Sequence, residues 1–256
     1  MFIKINKTNI NYKFINESEL NSQKPIIVFL HEGLGSIEQW FGFDDLLCKE
    51  LNLPGLSYDR YGYGKSSELK EKRSNNYAHN EADFLNILLQ KLDINNPVIL
   101  FGHSDGATIS LIYAANYPKN VLAVISEAHH VIIEKETVVG MKMAIHAYEK
   151  GKLKKALEKF HPNKVDSMFY AWANLSNETD AQKYSIVSEL KKIKAPVLTI
   201  QGDKDQYGTY KQLSLIEENC KNSKIKLVEN CGHVPHREKT DVVISEIKDF
   251  LRFSDN

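Results

Sequence analysis

Short, largely apolar runs recur along the chain, separated by longer stretches of mixed polarity. The runs fall at 25–30 (PIIVFL), 55–58, 97–101 (PVILF), 121–125 (VLAVI), 196–200 (PVLTI) and 225–228. A strand with one wet face alternates apolar and polar residues, whereas an unbroken run marks a strand covered on both faces. Residues 2–6 and 10–15 do alternate, and predict an opening hairpin. The intervening stretches at about 37–51, 79–92, 106–116, 209–221 and 239–252 carry helical patterns. Strand and helix in turn predict an α/β fold: a mostly parallel central sheet with helices on both faces.

The alternation fails once. Between 131 and 192 no buried-strand run occurs, and helix-like segments take its place at 134–149, 152–160 and 165–173. The chain therefore divides into a core of 1–130 and 193–256 and a helical cap, or lid, of 131–192. An insertion between two core strands at the carboxyl edge covers the crevice where ligands bind.

Composition narrows the chemistry. Thirty-three basic and thirty-three acidic side chains leave no net charge among 256 residues. No basic field exists to attract phosphate backbones or anionic lipid, so neither nucleic acid nor a membrane surface is expected as a partner. No apolar run approaches the roughly 20 residues of a membrane span. Cys48, Cys220 and Cys231 form an odd set without a CxxC pair, and the N-terminal residues lack a signal-peptide core. A cytoplasmic protein is expected, with no cofactor and no metal. His129-His130 and His233-x-x-His236 are the imaginable metal pairs, but neither has an evident third ligand. Oligomeric state is open, and a homodimer is allowed.

The strongest local signal is Gly102-His103-Ser104-Asp105-Gly106, a G-x-S-x-G that follows PVILF and precedes the helical ATISLIYAANY. A strand turning sharply into a helix lifts the serine hydroxyl clear of the backbone, and the flanking glycines remove Cβ atoms that would collide there. Ser104 is the expected nucleophile. In enzymes built on such an elbow the acid and then the histidine follow in chain order. His233, after the last strand in Asn230-Cys231-Gly232-His233, is the expected base, with His236 as competitor. Asp205, just past PVLTI, is the expected acid; Asp203 is the alternative and reads better as a turn-former. The oxyanion requires two backbone N–H groups. One is expected from Asp105 and the other from the loop His31-Glu32-Gly33-Leu34-Gly35-Ser36, at Gly33 or next at Leu34.

HEGLGS, the segment Asp59-Arg60-Tyr61-Gly62-Tyr63-Gly64-Lys65-Ser66, GHSDGA, GDKDQYG and NCGHVPH together resemble the α/β-hydrolase superfamily, and within it the capped, cytosolic serine esterase-like branch. The resemblance runs from 25 to 251. It implies that Ser104 forms an acyl-enzyme that water hydrolyses, on a small carboxylic ester or related acyl substrate. It also implies that the Asp59–Arg60 segment is a structural loop without a catalytic role. Two departures stand out: Glu32 occupies a place where many relatives have glycine, and Asp105 one where many have an apolar residue. These carboxylates would disfavour an anionic substrate, or hold a substrate hydroxyl or ammonium.

Carbon–carbon hydrolases of ring-cleavage products use the same triad but hold their substrate with a cap arginine, and 131–192 contains none. A non-catalytic, receptor-like hydrolase fold is disfavoured by the complete triad. Glu32, Leu34, Trp40, Tyr170 and Trp172 are the candidate pocket walls.

Overall fold

The computed structural model describes residues 1–20, 22, 24–74, 76–177 and 184–254. A hairpin of β1 (Phe2–Ile5) and β2 (Thr8–Ile15) leads to β3 (Ile26–Leu30), α1 (Phe43–Leu51), β4 (Gly55–Tyr58), α2 (Tyr77–Lys91), β5 (Val98–His103), α3 (Asp105–Asn116) and β6 (Val121–Glu127). Three helices follow: α4 (Lys135–Glu149), α5 (Lys152–Glu158) and α6 (Val165–Ala173). The chain then closes with α7 (Val187–Leu190), β7 (Val197–Gly202), α8 (Lys211–Asn219), β8 (Ser223–Val228), α9 (Pro235–Glu238) and α10 (Thr240–Ser254).

The eight strands form one sheet in the order β1-β2-β4-β3-β5-β6-β7-β8, with β1, β2 and β4 paired antiparallel and the rest parallel. Most of the runs are buried on both faces; the run at 225–228 is not, because β8 is the edge strand and leaves Leu227 41% exposed. Along β3, Ile26, Val28 and Leu30 pack with Leu85, Ile109 and Ile112 on one side, while Ile27 and Phe29 pack with Phe43, Leu47 and Ile247 on the other. Every residue of β3, β4, β5 and β7 is buried.

The helical stretch expected at 37–51 is two pieces, a 3₁₀ turn at Ile37–Trp40 and α1, because Phe41 and Gly42 adopt left-handed backbone between them. Within 131–192, helices α4, α5 and α6 occupy the segments that read as helical, and residues 178–183 lie outside the described residues. These helices share a third apolar cluster, in which Met141, Tyr148, Leu157, Met168, Phe169 and Trp172 pack together.

Candidate active site

The parallel strands β5, β7 and β8 all end at one edge of the sheet, so the loops after them share a crevice. Ser104 stands at the turn from β5 into α3 with φ 53 and ψ −116. Such backbone costs of order 1–3 kcal/mol for a residue with a Cβ. Its N–H is held by the Glu127 carbonyl at 2.8 Å, which helps to fix the turn. The two motif glycines are required by contact: a Cβ at Gly102 would lie 2.3 Å from the Gly106 carbonyl oxygen, and one at Gly106 would lie 2.0 Å from that of Leu30.

The structure brings Ser104, His233 and Asp205 into one chain of contacts. Ser104 Oγ lies 3.0 Å from His233 Nε2, and His233 Nδ1 lies 2.8 and 2.9 Å from the two Asp205 carboxylate oxygens. Nδ1 therefore carries the proton that Asp205 accepts, and Nε2 is free to accept from the serine. Burial pushes the Asp205 carboxyl up, but the hydrogen bond and charge of His233 and the Tyr207 N–H, at 2.9 Å, leave it below its ordinary value. The Tyr207 ring packs on His233 with centroids 4.5 Å apart. A glycine at 140 makes room for that ring, since a Cβ there would meet it at 2.5 Å.

The competing residues are occupied elsewhere. Asp203 accepts the Cys231 N–H at 3.1 Å, bracing the loop that carries His233. His236 is buried, and its Nδ1 donates to Glu127 Oε1 at 2.6 Å. Glu127 has no precedent in the sequence reading; its one signal is a carboxylate ending an apolar strand run. His103 is a second unanticipated contributor. Its Nε2 donates to the His233 carbonyl at 2.8 Å, and its Nδ1 lies 3.6 Å from Glu32. Burial alone would lower the His103 pKa, but the nearby Glu32 carboxylate, the charge of Glu127 and the His233 carbonyl raise it to about 9.

Among the described residues, His103, Glu127 and His236 form the one trio with metal-ligand atoms within 4.8 Å of one another. The 2.6 Å contact between His236 and Glu127 is a hydrogen bond, shorter than the ~3.3 Å that separates two ligands of a tetrahedral zinc. His129 belongs to neither arrangement: it lies against Gln212 and Thr199.

A cavity of about 520 Å³ opens above Ser104 and His233. Of the candidate walls, Glu32, Leu34 and Trp172 line it, together with Gly33, Asp105, His130, Tyr77, Met141, Leu157 and Tyr207. Two expected wall residues do not. Trp40 is buried below the sheet edge against Phe29, Phe101 and His236, because the 3₁₀ turn that carries it faces the core. Tyr170 is 43% exposed on the outer side of α6, against Tyr148 and Phe169. No lysine or arginine lines the cavity among the described residues.

Strand order, elbow and crevice are those of an α/β hydrolase, and residues 25–144 match the family model described as alpha/beta hydrolase fold. The chain has that fold, and its residues 25–144 are similar to that family. It is 24% identical over 278 residues to a proline iminopeptidase of Lactobacillus helveticus, covering 94% of this chain and 93% of the relative. It is 23% identical over 257 residues to a monoacylglycerol lipase of Bos taurus, covering 89% and 75%. Among solved structures, an enol-lactonase from Burkholderia xenovorans superposes with a TM-score of 0.78 at 20% identity, covering 98% of this chain and 100% of that one. An esterase from Thermogutta terrifontis gives 0.74 at 16% identity, covering 97% and 95%. No described helix is long and apolar enough to cross a membrane.

Proposed function

We propose that the protein is a serine hydrolase that cleaves a small carboxylic ester or related acyl bond through Ser104, His233 and Asp205. The observation that carries this reading is the unbroken relay from Ser104 Oγ through His233 to Asp205, at 3.0 and 2.8 Å, on the floor of a cavity. His233 takes the hydroxyl proton as Ser104 Oγ bonds to the substrate carbonyl carbon. The carbonyl π electrons move to oxygen, and the Gly33 and Asp105 N–H groups meet the oxyanion. The tetrahedral centre expels the leaving group, which takes the proton from His233 and leaves an acyl-enzyme. Water, deprotonated by His233, attacks the acyl carbon; the acid departs and Ser104 recovers its proton. Asp205 remains ionised throughout and steadies the imidazolium.

Helices α4, α5 and α6 serve as a cap. Met141, Leu157 and Trp172 line the cavity and would sort acyl groups by shape. The carbon–carbon reading is disfavoured because, among the described residues, no cationic side chain lines the cavity to hold a carboxylate. A second reading, cleavage of an amide at an amino-bearing residue, is favoured by Glu32 and Asp105 on the cavity wall and agrees with the names of the iminopeptidase relatives. Cytoplasmic residence agrees with three free, buried cysteines.

The test is a fluorophosphonate probe read by intact mass, followed by turnover of nitrophenyl acetate, butyrate and octanoate against prolyl nitroanilide. Labelling that Ser104→Ala abolishes, with ester turnover exceeding anilide turnover, is expected. A wild-type protein that does not label removes serine catalysis; a higher anilide rate replaces the ester reading with the second one.

A further inference from the structure

The peptide group between Glu32 and Gly33 is held by an unusual number of donors. Its carbonyl oxygen accepts from Arg60 Nη2 at 2.8 Å, from His31 Nδ1 at 2.8 Å and from the Gly35 N–H at 3.1 Å. The His31 proton is assigned by its other nitrogen: Nε2 accepts the Arg60 backbone N–H at 3.1 Å, so Nδ1 is the donor. Burial and the Arg60 charge push the His31 pKa well below its ordinary value, which keeps the ring neutral and this tautomer in place.

Arg60 is fully buried, and its guanidinium lies over the Tyr63 ring with Cζ 4.5 Å from the centroid. The same Nη2 that holds the Glu32 carbonyl lies 3.9 Å from Asp105 Oδ2. One guanidinium thus lies beside both segments proposed to supply oxyanion donors, bonding the loop before Gly33 and approaching the first residue of α3. The ring face and the Glu32 carbonyl hold it in place, with the Asp105 carboxylate nearby as a countercharge.

A trans peptide is planar, with C=O and N–H pointing opposite ways, and there is no cis peptide bond among the described residues. Holding the carbonyl from behind therefore fixes where the Gly33 N–H points in front, and Gly33 lines the cavity beside Ser104. Donors on a carbonyl also polarise its peptide group and strengthen the N–H as a donor. We infer that Arg60 and His31 are positioning residues of the oxyanion hole, which grip the Glu32 carbonyl and so aim the Gly33 N–H at the developing oxyanion. This gives Arg60 work beyond the structural loop in which it lies. It rests on the serine-hydrolase reading, and neither residue touches the substrate.

The experiment measures kcat per fluorophosphonate-reactive site, KM, and the inhibition constant of an alkyl trifluoromethyl ketone, whose adduct with Ser104 carries an oxyanion. Arg60→Met removes the donor and the charge; Arg60→Lys keeps the charge and one reachable donor. His31→Phe keeps a ring against Tyr63 but loses both hydrogen bonds. Arg60→Met is expected to lower kcat per site at least about tenfold, with KM within about twofold and ketone affinity falling in step with kcat. Arg60→Lys recovers part of both, and His31→Phe shifts both in the same direction by a smaller factor. A merely structural role would reduce the fraction of reactive sites while leaving kcat per site and ketone affinity unchanged, and that result overturns the inference. Should Arg60→Met not fold, His31→Phe decides it by the same two readouts. Failure of the wild-type protein to label removes the serine-hydrolase reading and this inference with it; labelling with unchanged variants removes this inference alone.

Discussion

His236 Nδ1 lies 2.6 Å from Glu127 Oε1, in a pair that joins the end of β6 to the loop carrying His233. Glu127 works twice, because its backbone carbonyl also holds the Ser104 N–H at 2.8 Å. The nucleophile and the helix that follows the base, α9, are therefore tied to one residue. Removing one member of a buried pair strands the other, at a cost of about 3–5 kcal/mol. Glu127→Ala should lower stability by that order in urea denaturation, and the folded fraction should turn over more slowly per reactive site. A loss under about 1 kcal/mol would show that the pair contributes little.

Ser104→Ala keeps the Cβ and the backbone, so the fold should survive with stability within about 1 kcal/mol of the parent. Ester turnover should fall by at least about three orders of magnitude, since no acyl-enzyme forms. Circular dichroism and single-turnover kinetics check the two halves. Near-parental turnover in a folded variant would place the nucleophile elsewhere.

Asp205→Asn should cut kcat by about 10³–10⁴ because an amide cannot steady the imidazolium and selects the wrong tautomer. It should also alter acid stability. The folded carboxyl lies below its ordinary value, so its contribution is present above the unfolded pKa, near 3.9, and is lost as pH falls through the lower folded value. The variant should show a shallower loss of stability below about pH 4. Damage from Asp203→Asn with a harmless Asp205→Asn would exchange the two assignments.

His103 predicts the opposite slope. Its folded pKa is raised to about 9, so its contribution is complete below the unfolded value, near 6.5, and disappears as pH rises through about 9. The urea midpoint should decline across that window and flatten in His103→Gln. An unchanged slope in the variant would assign the alkaline loss to other groups.

Trp172 lines the cavity, packs in the cluster of α4–α6, and its indole fills the place a Gly33 Cβ would take. Trp172→Ala should raise kcat/KM for octanoate relative to acetate by roughly tenfold, in keeping with ~1–3 kcal/mol per pocket contact. Labelling of Ser104 should continue. An equal loss on every ester, together with a lower Tm, would reduce Trp172 to cap packing.

What the sequence determined by itself is what neighbouring residues specify. Five of the six apolar runs set the buried strands, and a serine between glycines at a strand end defines the elbow, because the sharp turn is made within residues 102–106. Chain order then placed Asp205 and His233 at the same sheet edge. Tertiary structure alone decided which side chains face inward and which meet across distance. Trp40 turned into the core and Tyr170 to solvent, since a left-handed break after the 3₁₀ turn and the packing of α6 rotate them away from the cavity. Glu127 and His236 are 109 residues apart in the chain, and Arg60 reaches a carbonyl 28 residues before it. Such pairs leave no local pattern, because sheet register and helix packing, and not sequence spacing, bring their atoms within hydrogen-bond reach.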